Sequence, residues 1–204
     1  GSNYNSSGNT FIDWVFRRAP GFFDVVAYTG TGSARTINHN LGVASELIIV
    51  KLRSTSKDWV VYAGALGAST GLSLNDTGGA NSNLGVWNNT APTATVFSVG
   101  TQSETNSSGN TYISYHFASL SGVSKIGSYT GTGSNVGVDC GFTAGARFVL
   151  IKRTDSSSDW YVFDSARGIV GGNDPYILLN TNAAEVTNTD YIDPLNSGFT
   201  VTSS

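Results

Sequence analysis

Bulky and polar residues alternate along TFIDWVF at 10–16, and again along TYISYHF at 111–117. A period of two marks a strand with two unlike faces, so Phe11, Asp13 and Val15 should point one way and Ile12, Trp14 and Phe16 the other. ELIIVKLR (46–53) and RFVLIKRT (147–154) are instead nearly continuous β-branched and aliphatic runs that turn charged at their C-terminal ends. Each passes through a polar loop, STSKD or DSSSD, into a second apolar run, WVVY or WYVF. That pattern predicts a β-hairpin whose return strand opens on Trp59 or Trp160. The Gly-Thr-Gly-Ser stretches at 30–33 and 131–134 read as tight turns after short aromatic strands. No segment keeps a helical period for ten residues without Gly, Pro or a β-branched run, and at most SARG (165–168) makes one helical turn.

These elements come in pairs. SSGNTFIDWVF at 6–16 returns as SSGNTYISYHF at 107–117, YTGTGS at 28–33 as YTGTGS at 129–134, and IIVKLRSTSKDWVVY at 48–62 as VLIKRTDSSSDWYVF at 149–163, each displaced by 101 positions. LSLN at 72–75 then matches ILLN at 177–180, and Pro92 and Phe97 match Pro194 and Phe199. A period of about one hundred residues is too long for a solenoid repeat, so each copy should bury a core of its own. The expected fold class is all-β, as two tandem antiparallel β-sandwich repeats of jelly-roll-like kind. On this reading residues 1–20 are a strand left over from a preceding repeat, 21–120 the first repeat, and 121–204 a second repeat lacking its last strand. Two explanations of the spare N-terminal strand compete, a chain cut from a longer array, which is the expected one, or a strand that closes the second repeat, and the two are compatible. The copies share strand positions and turn glycines, which is fold maintenance. They differ in the loops, 64–71 against 165–176 and 76–95 against 181–197, which is where recognition proteins vary.

Composition narrows the function. Charged residues are 12% of the chain, against about 25% in an ordinary soluble domain, and 25 glycines accompany abundant Ser, Thr and Asn. A net charge of −3 without a basic stripe weighs against nucleic acid as a partner. No apolar run approaches the ~18 residues of a membrane span, and no basic start leads into an apolar stretch as in a signal peptide. Cys140 is the only cysteine, so no internal disulfide exists.

Catalytic patterns are missing too. His39 and His116 lie on different elements with no cysteine cluster, so no zinc pattern arises, and His116 stands in a strand where packing is its expected role. There is no Walker loop, and no helix follows the GTGS turns to hold a phosphate. The second copy's carboxylates, Asp155, Asp159, Asp164, Asp174, Glu185, Asp190 and Asp193, include one loop, Asp155-Ser-Ser-Ser-Asp159, with oxygen ligands suited to calcium but without EF-hand spacing. No other cofactor is implied, and the chain is expected to be non-enzymatic. Trp87, Tyr176 and Tyr191 fall in the variable loops beside Asn and Asp, where amphipathic rings suit sugar faces and hydroxyls. The competing role for each ring is to pin its loop to the fold.

The motifs together resemble a family of tandem-repeat domains, of unassigned function, in virion proteins of marine and environmental bacteriophages. The resemblance rests on Ser128–Ser134, Gly141–Trp160, Asp164–Arg167 (DSAR), Ala183–Glu185, Ser197–Phe199 and Ser108–Ala118, and it covers nearly the whole chain. It is weaker in the first copy, where AGAL (63–66) replaces DSAR. The resemblance implies a place at the virion surface, in a tail-fibre-like appendage, with a role in host-surface attachment. Its implied partners are a host cell-surface glycan or protein, other virion proteins, and further copies within a fibre, with no membrane insertion. A structural spacer or decoration module, and a depolymerase cutting surface polysaccharide, are the rival functions.

Overall fold

A computed structural model of the chain describes residues 6–82 and 84–203. Its regular structure is antiparallel β apart from one turn of helix, α1 (Ser103–Asn106). The first copy contributes β1 (Phe23–Thr29), β2 (Arg35–Asn38), β3 (Leu47–Leu52), β4 (Trp59–Ala63), β5 (Leu72–Ser73), β6 (Val96–Val99) and β7 (Thr111–Phe117). The second contributes β8 (Val136–Asp139), β9 (Phe148–Lys152), β10 (Trp160–Asp164), β11 (Tyr176–Leu178), β12 (Ile192–Leu195) and β13 (Gly198–Val201). In the first copy a sheet ordered β1-β7-β3-β4-β5 accompanies a β2-β6 pair, and in the second β11-β10-β9 accompanies β12-β13-β8.

The duplication extends to strand register. Lys51 faces Trp59 and Leu47 faces Ala63 in the β3–β4 hairpin, as Lys152 faces Trp160 and Phe148 faces Asp164 in β9–β10. A shared clip fixes both hairpins. The Trp59 N–H donates to Asn75 Oδ1 at 2.8 Å, and Asn75 Nδ2 donates to Asp58 Oδ1 at 2.8 Å. Trp160, Asn180 and Asp159 repeat the arrangement at the same distances. Lys51 and Lys152 each place Nζ 5.9 Å from the facing Trp ring centroid while donating to a carbonyl of the connecting loop. The Lys, Asp-Trp and Leu-Asn residues shared by the copies are therefore parts of one device that sets the hairpin register.

Burial explains why β3 reads as an unbroken apolar run. Ile48, Val50 and Leu52 pack with Val60, Tyr62, Phe97, Val99 and Tyr112 in the first copy's core, while Leu47 and Ile49 face the other way. That second face joins Val61, Leu72 and Leu74 against Leu150, Trp160 and Leu179 of the second copy. The Trp160 indole N–H donates to the Ser73 carbonyl at 2.9 Å across this contact, and the Ala80 N–H to Thr154 O at 2.8 Å. The second copy's own core gathers Val149, Phe163, Tyr176, Ile192 and Phe199.

Three expectations fail. Residues 10–16 form no strand, although their alternation predicts one, and Val15 is 85% exposed. Alternation makes a strand only where a sheet edge accepts the backbone groups. Trp14 and Phe16 pack against Phe148, the first residue of β9. The N-terminal segment is thus not a closing strand here, and its residues 1–5 lie outside the described residues. Residues 124–130, the sequence counterpart of β1, are likewise not a strand. SARG forms a turn rather than helix: Asp164 Oδ1 accepts from the N–H groups of Ala166 and Arg167, both at 3.0 Å.

Candidate functional site

The sequence-predicted aromatics separate on burial. Trp87 is 2% exposed and packs edge-on to Tyr62 at 5.8 Å in the first copy's core, so it presents no ring to a ligand. Its loop carries the apolar pair Val86–Trp87, which the open side of a small core draws inward. Tyr176 is also buried, on β11, between Tyr161, Phe163 and Tyr191. Both are corrections to the surface placement expected for them, and both rings pin their segments. Only Tyr191 of the three lines an open cleft.

The carboxylates proposed for calcium are separately engaged. Asp155 forms an exposed ion pair with Arg153 at 2.7 Å, and Asp159 holds Asn180 in the hairpin clip. Among the described residues no group of three or more His, Cys, Asp or Glu is arranged to hold a metal ion. The DSAR residues are structural: Asp164 and Arg167 form a buried ion pair at 2.8 Å, with Glu185 Oε2 3.7 Å from Arg167 Nε. This contact ties DSAR to the Ala-Ala-Glu stretch.

The cleft measures about 490 Å³ and is lined by Asn135, Asn188, Thr189, Asp190, Tyr191, Asp193, Thr202 and Ser203. Three chain segments build it: the lead into β8, the loop that enters β12, and the residues that leave β13. Asp174, wholly buried, organises the middle one. Its Oδ2 accepts from the N–H groups of Tyr191 and Ile192 at 2.8 and 2.9 Å, and Asp174 exchanges two further bonds with Thr189. Asn188 takes a left-handed φ of 59°, a conformation Asn tolerates, and its N–H donates to Asn173 Oδ1 at 3.0 Å. Ser203 N–H donates to Asn135 Oδ1 at 2.9 Å, and the Thr202 hydroxyl to the Asp190 carbonyl, which closes the far wall.

The electrostatics follow from this crowding of acids. Burial pushes the Asp174 carboxyl above the usual carboxylate range, against the two backbone N–H groups that favour its charge; Asp190 and Asp193 push it further. No cationic side chain lines the cleft. One aromatic ring, the carboxylates of Asp190 and Asp193, and amide and hydroxyl groups line the cleft, and its oxygens can together accept hydrogen bonds from a polyhydroxylated ligand. Asp190 and Asp193 were visible in sequence only as members of a list of acids. Nothing local joined them to Asn135 or Thr202.

Over residues 1–204 the chain matches one protein-family model, described as a domain of unknown function (DUF7483). It belongs to the DUF7483 family. A single match spans both copies. No curated protein and no solved structure matches the chain. Among the described residues no helix is long and apolar enough to cross a membrane.

Proposed function

We propose that this chain is a non-enzymatic attachment module of a phage virion or tail-fibre-like appendage, built as two sandwich-like repeats, and that it binds host cell-surface glycan through the cleft at Tyr191. The observation that carries this reading is the company Tyr191 keeps. Its ring is held by Tyr176 and Tyr161 at 5.7 and 6.3 Å, and polar residues surround it in the cleft. A fixed ring offers a face to a sugar, and Asp190, Asp193 and Asn135 offer acceptors to its hydroxyls. Such a shallow site binds weakly, and avidity across many copies of an appendage supplies the strength. The absence of a basic lining favours neutral or amino sugars over acidic ones.

The test is binding of the full chain, displayed multivalently, to candidate host cells with and without their surface polysaccharide stripped. Binding should vanish on stripping. Asp190→Asn, which removes charge but not shape, should weaken it about tenfold or more, the worth of one hydrogen bond to a charged group. Binding that survives stripping makes the partner a protein. A folded multimer that binds no host overturns the reading and leaves a spacer.

A further inference from the structure

The two YTGTGS stretches, identical in sequence, have unlike surroundings. In the first copy Gly30 is pressed against the segment that leads into β7: a Cβ there would lie 2.2 Å from the Ser107 carbonyl oxygen and 2.9 Å from Tyr112 Cε2. The Gly30 N–H donates to Asn110 O at 2.8 Å, the Gly109 N–H to Gly30 O at 3.0 Å, and Tyr28 stacks on Tyr112 at 5.0 Å. In the second copy Gly131 and Gly133 meet nothing within 4 Å, and Tyr129, the counterpart of Tyr28, is 39% exposed. In the first copy β7 lies between β1 and β3. The corresponding neighbours in the second are residues 124–130, which form no strand, and β9, which has no strand partner among the described residues on the side away from β10. No described segment occupies the place between them. The glycines, the tyrosine and the open edge of a strand site are all present without the strand.

We infer that this slot is a strand-acceptor site, and that its occupant is the segment 6–16 of a second copy of this chain. Three observations identify the occupant. SSGNTFIDWVF repeats the SSGNT, the following aromatic, the Ile and the terminal Phe of SSGNTYISYHF, the segment that fills the first copy's site. The inward positions also change in concert. In the first copy His116 of β7 stacks on His39 at 5.1 Å and bonds Ser45 at 3.0 Å. The second copy has Cys140 and Ala146 at those two positions, both packed against its core, and the N-terminal segment has Val15 where β7 has His116. A polar trio is replaced by an apolar one, so the slot fits Val15 better than a histidine.

Finally, residues 10–16 form no strand where they stand. By the β3–β7 pairing Trp14 should face Leu150 and Phe16 should face Phe148; Phe16 does meet Phe148 at 6.2 Å, but Trp14 packs on that same ring at 5.4 Å, with its indole N–H 3.4 Å from Asp164, and no ladder forms. Phe11 and Ile12 remain about half exposed. An open edge and a segment of matching sequence associate through the main-chain ladder, with pockets for alternate side chains giving specificity. One donor and one acceptor per chain give either a reciprocal pair or a head-to-tail series.

The test is the mass of the full chain in solution across a concentration series, with synthetic peptides as probes. Mass should rise from the monomer's 21.3 kDa toward multiples of it. Excess peptide of residues 6–16 should return the chain to a monomer carrying one peptide, and the 107–117 peptide should bind at least several-fold more weakly. Gly131→Val, at a position with open space in the isolated chain, should stay folded and monomeric and lose peptide binding. Val15→Asp should remain monomeric yet still bind the 6–16 peptide, because its acceptor is intact. A chain that stays monomeric and binds no peptide overturns the inference. Protected amides at 148–152 would then show closure by its own segment, and unprotected ones the absence of any strand site. Association unchanged by Gly131→Val also overturns it, by placing the contact elsewhere.

Discussion

Alanine at Gly30 and alanine at Gly131 place the same methyl group on the same six-residue sequence, and the two substitutions should move stability in opposite directions. At Gly30 the new Cβ would stand 2.2 Å from a backbone oxygen and 2.9 Å from the Asn106 carbonyl carbon. Neither is the end of a flexible side chain, so backbone must move by roughly an ångström to reach ordinary contact. Overpacking of this kind costs about 1–3 kcal/mol. The displacement also strains the Gly30–Asn110 and Gly109–Gly30 hydrogen bonds, each worth about 0.5–1.5 kcal/mol net. A loss of about 2–4 kcal/mol is expected. At Gly131 nothing lies within 4 Å and φ is outside the left-handed region, so alanine acts on the unfolded chain and stabilises by about 0.4–1 kcal/mol. The two variants should differ by roughly 3 kcal/mol, or about 6–12 °C in Tm for a chain of this size. Urea titration and thermal melts, run dilute enough that the chain is monomeric, measure this. Shifts of the same sign, or a Gly30→Ala cost under about 0.5 kcal/mol, would falsify the unequal environments on which the strand-acceptor inference depends.

Two further outcomes follow from buried groups. Burial, with His39 stacked alongside and only partly opposed by Asp24, holds the His116 imidazole down to about 3. Above pH ~6.5 both folded and unfolded chains carry it neutral; below that the unfolded chain takes a proton the folded one refuses, so stability should fall with pH by up to about 1.4 kcal/mol per unit. His39 is shifted in the same direction. Urea midpoints at pH 7.5 and 5 should show the loss, and His116→Gln should flatten the slope; an unchanged slope sinks the assignment. Trp160→Phe removes the bond to the Ser73 carbonyl from the contact between copies, at an expected cost of about 1–3 kcal/mol. Trp59→Phe, in the matching but more exposed position, should cost less, and equal losses by denaturation would refute the role given to that bond.

What could be read from the sequence was what the chain specifies locally. The two hairpins follow from apolar runs buried on both faces and from turns between them, and their common register follows from the Lys, Asp-Trp and Asn residues that recur with the period. Asn75 and Asn180 could have been recognised by that recurrence alone. What could not be read depends on partners distant in sequence. Trp87 looks like a loop aromatic and is a core residue, because Tyr62 stands over the place where its loop folds back. The cleft joins Asn135, Asp190 and Thr202, which share no local pattern. Residues 10–16 have every sign of a strand and pair with no edge of their own chain.

That last case shows how a pattern and its environment divide the work. Ser45, His39 and His116 are legible as a set only when set beside Ala146, Cys140 and Val15, since a histidine pair needs the serine and a valine does not. Substitutions that change together at positions brought into contact in one copy imply contact in the other. Val15 is solvent-exposed where the chain holds it, and its two counterpart neighbours pack in the second copy's core. An apolar residue that matches a core it does not enter is accounted for by a state in which it enters. Association through the open edge of β9 is such a state, and it requires no change in the strands already formed.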